Sequence, residues 1–263
     1  MEFFRNTERE TSPQQRKLAY DRDGVVVIRD FLSPDDFQAL NRNLDRYISE
    51  IVPDLPDGDA FYEDRTRPET LKQMQRMQQD TFFADYLSHP VWKQTAELLL
   101  GEEANAEGAE WFNKPPGSNH PTPPHQDNFY FCLAPPNVLT MWLALDPVDE
   151  ENGCLRYVNG SHRPGIRPHS RTKTLGFSQG ITDFPGEQDL SHEVKAILNA
   201  GDVVIHHGNT IHWAEVNRSL TRHRRSFALV FKGVSCCRDE EAYQRYLKSA
   251  RSQHTELGLK TNV

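Results

Sequence analysis

No stretch of this chain is apolar over the roughly 20 residues needed to cross a bilayer, so a membrane-spanning protein is not expected. Met1 to Arg16 is polar and charged and has no apolar h-region; no signal peptide is expected, and the cytoplasm is the expected address. Cysteine is scarce. Cys132, Cys154, Cys236 and Cys237 form no C-x-x-C pair and no zinc spacing, which leaves reduced thiols rather than a disulfide framework. A basic excess is missing as well. Lys and Arg number 30 against 38 Asp and Glu, and a net charge of −8 argues against a nucleic-acid partner. The chain shows no internal repeat and no low-complexity tract.

What remains is an ordinary globular composition, 37% hydrophobic and 26% charged over 263 residues, read as one domain spanning 1–263. The apolar β-branched run 24–28 reads as a buried strand. Ser33-Pro34-Asp35-Asp36 is a helix start, with a capping serine, a proline in the first turn and two acids near the positive end of the dipole. Phe37, Leu40, Leu44, Tyr47, Ile48 and Ile51 then follow one helical face. Residues 67–79, polar and rich in helix formers, are expected to be a surface helix. Residues 90–100 form another, closed by Gly101. After Gly101 the pattern changes to short strands at 138–145, 194–198, 202–206 and 226–231. Asn152-Gly153 signals a hairpin turn returning over 154–158. The fold class read from this is mainly β with flanking helices, a sandwich or small barrel. The helical layer falls mainly at 12–100, the barrel core at 105–234 and a terminal helix at 239–252.

Pro123-Pro124-His125-Gln126-Asp127 carries the sharpest chemical signal. In an extended strand, residues i and i+2 share a face, so His125 and Asp127 are expected to address one metal while Gln126 faces away. A second histidine would complete a 2-His-1-carboxylate facial triad, whose open coordination sites suit iron(II). His206, His207 and His212 are the candidates in the segment that follows Gly201-Asp202. The basic cluster Arg222-His223-Arg224-Arg225 precedes an apolar strand. An arginine from it, turned inward, would pair bidentately with an acidic cosubstrate.

Together these residues resemble the phytanoyl-CoA dioxygenase family of iron(II)/2-oxoglutarate oxygenases. The matching stretches are Asp23 to Ser33, Asn113-Lys114-Pro115-Pro116-Gly117 and His125-Gln126-Asp127. Trp142 to Asp146, Glu151-Asn152-Gly153-Cys154-Leu155 and Asn159-Gly160-Ser161-His162 follow. Gly201-Asp202, His212, Asn217-Arg218-Ser219 and Arg224-Arg225 complete the set in the family's order. The resemblance implies a double-stranded β-helix, the cupin-like jelly-roll barrel. It implies Fe(II), 2-oxoglutarate as cosubstrate and O₂. It selects His212 as the distal metal ligand and Arg224 as the cosubstrate anchor, with Arg222 and Arg225 as alternatives. Trp142 matches a tryptophan lining the cosubstrate pocket. Ala214 stands where the family often has a serine, so Thr140 is the hydroxyl expected to serve instead. The presence of Asp127 favours hydroxylation over halogenation, since related halogenases lack the carboxylate.

The implied reaction is hydroxylation of an unactivated C–H, with release of succinate and CO₂. The expected substrate is a small polar or anionic metabolite, such as a phosphonate or amino-acid derivative. An acyl-CoA hydroxylase and a non-catalytic metal-binding jelly roll are the alternatives, and the expected state is a monomer or homodimer. Lys114, Asn128, Tyr130, Arg167 and Gln179 are candidate substrate contacts. The polar segment 162–186, with Arg163, Arg167, His169, Arg171, Lys173 and Gln179, is a candidate lid whose cations would favour an anionic substrate.

Overall fold

The computed structural model describes residues 2–3, 12–56, 58–174 and 177–256. Leu175 and Gly176 of the expected lid lie outside these residues, as do the side chain of Lys173 and most of the segment before Arg16.

Two sheets face each other. The larger has the strand order Val25–Ile28, Val203–His207, Val138–Ala144, Arg224–Gly233, Ala104–Lys114, Leu71–Met74, Ala60–Tyr62, antiparallel throughout. The smaller runs Glu2–Phe3, Glu193–Lys195, Leu155–Val158, His212–Ala214, Thr122–His125. The pleat explains how one set of strands serves two cores. Val26, Ile28, Leu139, Met141, Leu143, Phe227 and Leu229 point to the helical layer. Val25, Val27, Trp142, Ala144, Val204 and Ala228 point to the smaller sheet and meet Leu155, Tyr157, Val194 and Ala214. Strand 25–28 is therefore apolar without a break because both of its faces are covered.

Helices Pro13–Asp23, Pro34–Arg46, Thr81–Tyr86 and Pro90–Leu100 supply the outer layer. Ser33 caps its helix as read from the sequence, its hydroxyl accepting from the Asp36 amide at 3.1 Å. Gly101 closes the last helix at φ +76°. Phe227 is the hub between layers, with ring centroids 5.6 to 5.9 Å from Tyr86, Phe83 and Trp92.

Two expectations are corrected. Residues 67–79 are not a helix: Leu71–Met74 is a strand between short 3₁₀ turns, because Gln73 and Met74 pair with Phe112 and Trp111. Sheet pairing and burial override the local propensity of a short polar segment. Asn152-Gly153 does not make a hairpin. The chain leaves the larger sheet after Ala144 and joins the smaller one at Leu155. Asn152 holds that crossing by donating to the carbonyls of Pro147 and His223. Gly153 sits at φ +82°, where a Cβ would lie 2.6 Å from the Glu215 carbonyl oxygen.

Truncating the hub tests this layering. Phe227→Ala should destabilise the fold by about 3–5 kcal/mol in denaturant unfolding, and a loss below about 1 kcal/mol would contradict the packing described.

Candidate metal centre

One ligand atom each from His125, Asp127 and His212 falls within 4.8 Å of the others. The two histidines face each other as a cross-strand pair, because the Thr122–His125 and His212–Ala214 strands are in register at those positions. Each ring is oriented by the chain just before it. His125 Nδ1 lies 2.7 Å from the Pro123 carbonyl and His212 Nδ1 lies 3.0 Å from that of Thr210. The Nδ1–H donates to the carbonyl, so both Nε2 lone pairs are left pointing inward. Both Nε2 atoms approach the same carboxylate oxygen, Asp127 Oδ1, at 3.5 and 3.4 Å.

The strand argument for Asp127 needs correction. The strand ends at His125, and Asp127 has helical angles (φ −58°, ψ −38°) at the start of the short helix Asn128–Phe131. Its carboxylate reaches the centre from this turn. Oδ2 accepts a hydrogen bond from Thr140 Oγ1 at 2.6 Å and lies 3.0 Å from His206 Nε2. Burial pushes the Asp127 carboxyl up, but the charges and hydrogen bonds of His212, His125 and His206 more than reverse this. They hold it well below the usual carboxylate range. Burial, then the charge of His125, pushes His212 well below the ordinary imidazole value. An ionised acid beside a neutral imidazole is the state a divalent cation requires.

These groups open into a cavity of about 420 Å³, a small-molecule scale. Arg224, Lys114 and Lys72 line one end of it. Arg224 is buried, its Cζ is 5.2 Å from the Trp142 ring centroid, and its Nε meets no hydrogen-bond partner. Burial lowers it to about 10, and no carboxylate salt bridge reaches it among the described residues. Its neighbours in the cluster are committed elsewhere: Arg222 to Asp149 and Glu151, Arg225 to Asp146. Ser226, two residues along the same strand face, also has an unpartnered buried hydroxyl.

Residues 20–226 match the phytanoyl-CoA dioxygenase family (PhyH). This chain belongs to that family. It is 29% identical over 224 residues to the peroxisomal phytanoyl-CoA dioxygenase of Rattus norvegicus, covering 79% of this chain and 64% of the rat protein. The chain thus spans just under two thirds of that relative's length. It is 25% identical over 217 residues to a probable alpha-ketoglutarate-dependent hypophosphite dioxygenase of Stutzerimonas stutzeri, covering 80% and 75% of the two chains. Among solved structures it is similar to the epimerase SnoN from nogalamycin biosynthesis, in a complex with Fe³⁺, alpha ketoglutarate and nogalamycin RO. The TM-score is 0.69 at 22% identity, over 86% of this chain and 85% of that one. The fold they share is the double-stranded β-helix.

Within this phytanoyl-CoA dioxygenase family fold, the remaining candidates separate. Lys114 and Tyr130 line the cavity, Lys114 donating to the His120 carbonyl at 2.8 Å. Tyr130 stands edge-on to His125 and donates to the Gln179 carbonyl. Asn128 does not face the cavity; its amide bridges the backbone of Leu133. Gln179 turns its side chain to Ser249 at 2.8 Å. Arg167 pairs with Asp183 and Asp189, so it offers no cation to a substrate. The 162–186 segment contributes a hairpin, His169–Thr174 with Phe177–Ile181, whose Thr174 and Ser178 wall the cavity. Thr140 lines the cavity and directs its proton to Asp127. His207 lies away from the centre, against Tyr20 and His162.

Of the three candidate histidines, His206 stands behind Asp127 and links it to the Tyr157 hydroxyl, 3.1 Å from its Nδ1. Glu110 is the residue that the sequence reading leaves out of the site, although strand alternation places Glu110, Phe112 and Lys114 on the cavity face.

Replacing His206 with Phe should weaken manganese(II) binding by about 10–100-fold, the usual cost of removing a ligand's support. His206→Gln, which keeps a donor, should recover part of it. Unchanged affinity in the Phe variant, measured by titration calorimetry, would refute the link. Glu110 gives a pH signature in the metal-free protein. Burial and the charge of Asp127 raise its carboxyl from 4.5 to about 7. The folded chain therefore holds a proton that the unfolded chain has lost, and stability falls as pH rises through that window. The Tm gain of Glu110→Gln over wild type should grow from pH 5 to pH 8.

Proposed function

We propose that this chain is an iron(II)/2-oxoglutarate-dependent dioxygenase that hydroxylates a small polar metabolite. The carrying observation is the inward convergence of His125 Nε2, His212 Nε2 and Asp127 Oδ1 on a cavity that also holds Arg224, a buried arginine with no carboxylate salt bridge among the described residues. The donor set, two imidazoles and one carboxylate, suits iron(II) with open sites for a chelating cosubstrate. Iron, when bound there, couples O₂ and the oxidative decarboxylation of 2-oxoglutarate to C–H hydroxylation. The balance is R–H + 2-oxoglutarate + O₂ giving R–OH + succinate + CO₂.

The chain's own tasks are orientation and exclusion of water. Arg224 meets the distal carboxylate of 2-oxoglutarate with its paired N–H groups, and Trp142 braces the guanidinium. Thr140 and His206 fix Asp127 so that Oδ1 faces the metal. Tyr130 and the 169–181 hairpin close the wall above His125. The similarity to an alpha-ketoglutarate-dependent dioxygenase of Stutzerimonas and to SnoN in complex with alpha ketoglutarate supports the cosubstrate. The rat relative's name favours a second reading, hydroxylation of an acyl-CoA. The net charge of −8 weighs against a CoA-binding surface groove.

Aerobic protein supplied with iron(II) and labelled 2-oxoglutarate should release succinate. Asp127→Ala should lower that release at least about 100-fold, since a direct ligand matters more than its support. Arg224→Ala should raise KM for 2-oxoglutarate by about 30-fold or more, the loss of a buried charged pair. Full turnover in the Asp127 variant would overturn the assignment.

A further inference from the structure

Two acids line this cavity that the proposed chemistry leaves unused, Glu63, which accepts from Ser118, and Glu110. The register of the larger sheet fixes the place of Glu110. Trp142 pairs with Ala228, and Ala228 pairs with Glu110; Arg224 pairs with Lys114. Four residues separate Arg224 from Ala228, about 13 Å of strand, so Arg224 and Glu110 stand toward different ends of the cavity. The methyl of Ala228 leaves the floor beside Glu110 low. Among the described residues no hydrogen bond or ion pair reaches the Glu110 carboxylate, and the negative charge of Asp127 acts on it without a compensating cation. An acid in a protein cavity with no partner is costly unless a ligand supplies one.

The wall on this side is aromatic. Tyr130, Phe131, Tyr243 and Tyr246 line the cavity, Tyr130 edge-on to Tyr246 at 5.6 Å and Tyr246 beside Tyr243 at 6.2 Å. Such faces attract cations. Tyr243 already carries one, the Arg238 guanidinium 4.3 Å from its ring centroid. Arg238 turns toward Glu107, 3.8 Å away, rather than toward Glu110. Two of the cations expected from the lid are engaged elsewhere: Arg167 by two aspartates, Arg163 by the Arg22 carbonyl.

We propose that Glu110, with the wall of Tyr130, Phe131, Tyr243 and Tyr246, recognises an amine-bearing primary substrate whose ammonium group sits against the Glu110 carboxylate. This rests on the oxygenase reading above and narrows its substrate from polar metabolites to cationic or zwitterionic ones. A cavity of about 420 Å³ shared with the cosubstrate keeps that substrate small. Amino-acid derivatives and small amines satisfy these demands, and phosphonates lacking an amine do not.

The test uses full-length protein loaded anaerobically with manganese(II) and 2-oxoglutarate. Cosubstrate binding to the wild type is measured first; its absence would sink the oxygenase reading. The loaded protein is then titrated with matched sets of C4–C6 compounds that share a skeleton and differ in one group, an amine, a hydroxyl, a carboxylate or a phosphonate. Amine members should bind about 10–100-fold more tightly than their carboxylate counterparts, the effect of a hydrogen bond to a charged group. Glu110→Gln should erase most of that preference, and Tyr246→Leu should weaken the amines more than the hydroxyl analogues. Cosubstrate binding with no amine preference, or a preference that survives Glu110→Gln in a folded variant, overturns the Glu110 assignment while leaving the oxygenase reading intact.

Discussion

The division of labour between the two oxygens of Asp127 organises everything around it. Oδ1 is shared by the Nε2 atoms of His125 and His212, which are a cross-strand pair of the smaller sheet. Oδ2 is held by Thr140 and His206, which are a cross-strand pair of the larger sheet. One carboxylate thus ties the two sheets together at the point where they face each other. A one-residue slip in either ladder would turn a pair of these side chains to the opposite face. The apolar alternation that fixes the ladders therefore also fixes the site: Met141 and Ile205 in the helical core leave Thr140 and His206 no choice of direction.

Much of this was readable in advance, and the failures have physical causes. The His125-Gln126-Asp127 spacing points to residues that the structure does bring together, for a reason that holds only for the first of them. Backbone periodicity does not reveal where a strand stops, and this one stops before Asp127. The 67–79 segment looked helical because its side chains are good helix formers. Pairing with Trp111 and Phe112 decided otherwise, and such long-range partners leave no local trace. The cations of 162–186 suggest an anion site, yet Arg167 meets aspartates from the same region of sequence, at 183 and 189. Glu110 is the reverse case. Its alternation with Phe112 and Lys114 was visible, but nothing in the sequence alone says which face of a strand lines a cavity.

Net charge proves a poor guide to such a cavity. The chain carries −8, but the space beside His125, Asp127 and His212 mixes both signs, with Arg224, Lys114, Lys72 and Glu63 in its lining and Glu110 near the tyrosines. A cavity with both signs can orient a charged ligand in a way that the overall charge does not foretell.

The cationic end also shows why its permanent charge belongs to an arginine. Burial, and then the repulsion of Arg224 and Lys72, pushes Lys114 well below its ordinary value; burial lowers Lys72 in turn. An ammonium responds to such crowding by giving up its proton. Arg224 starts higher and, although burial lowers it to about 10, stays charged at neutral pH. Both lysines also feel the opposite charge of Glu63, whereas no carboxylate salt bridge reaches Arg224 among the described residues. The guanidinium is therefore the charge at this end best fitted to hold an anion.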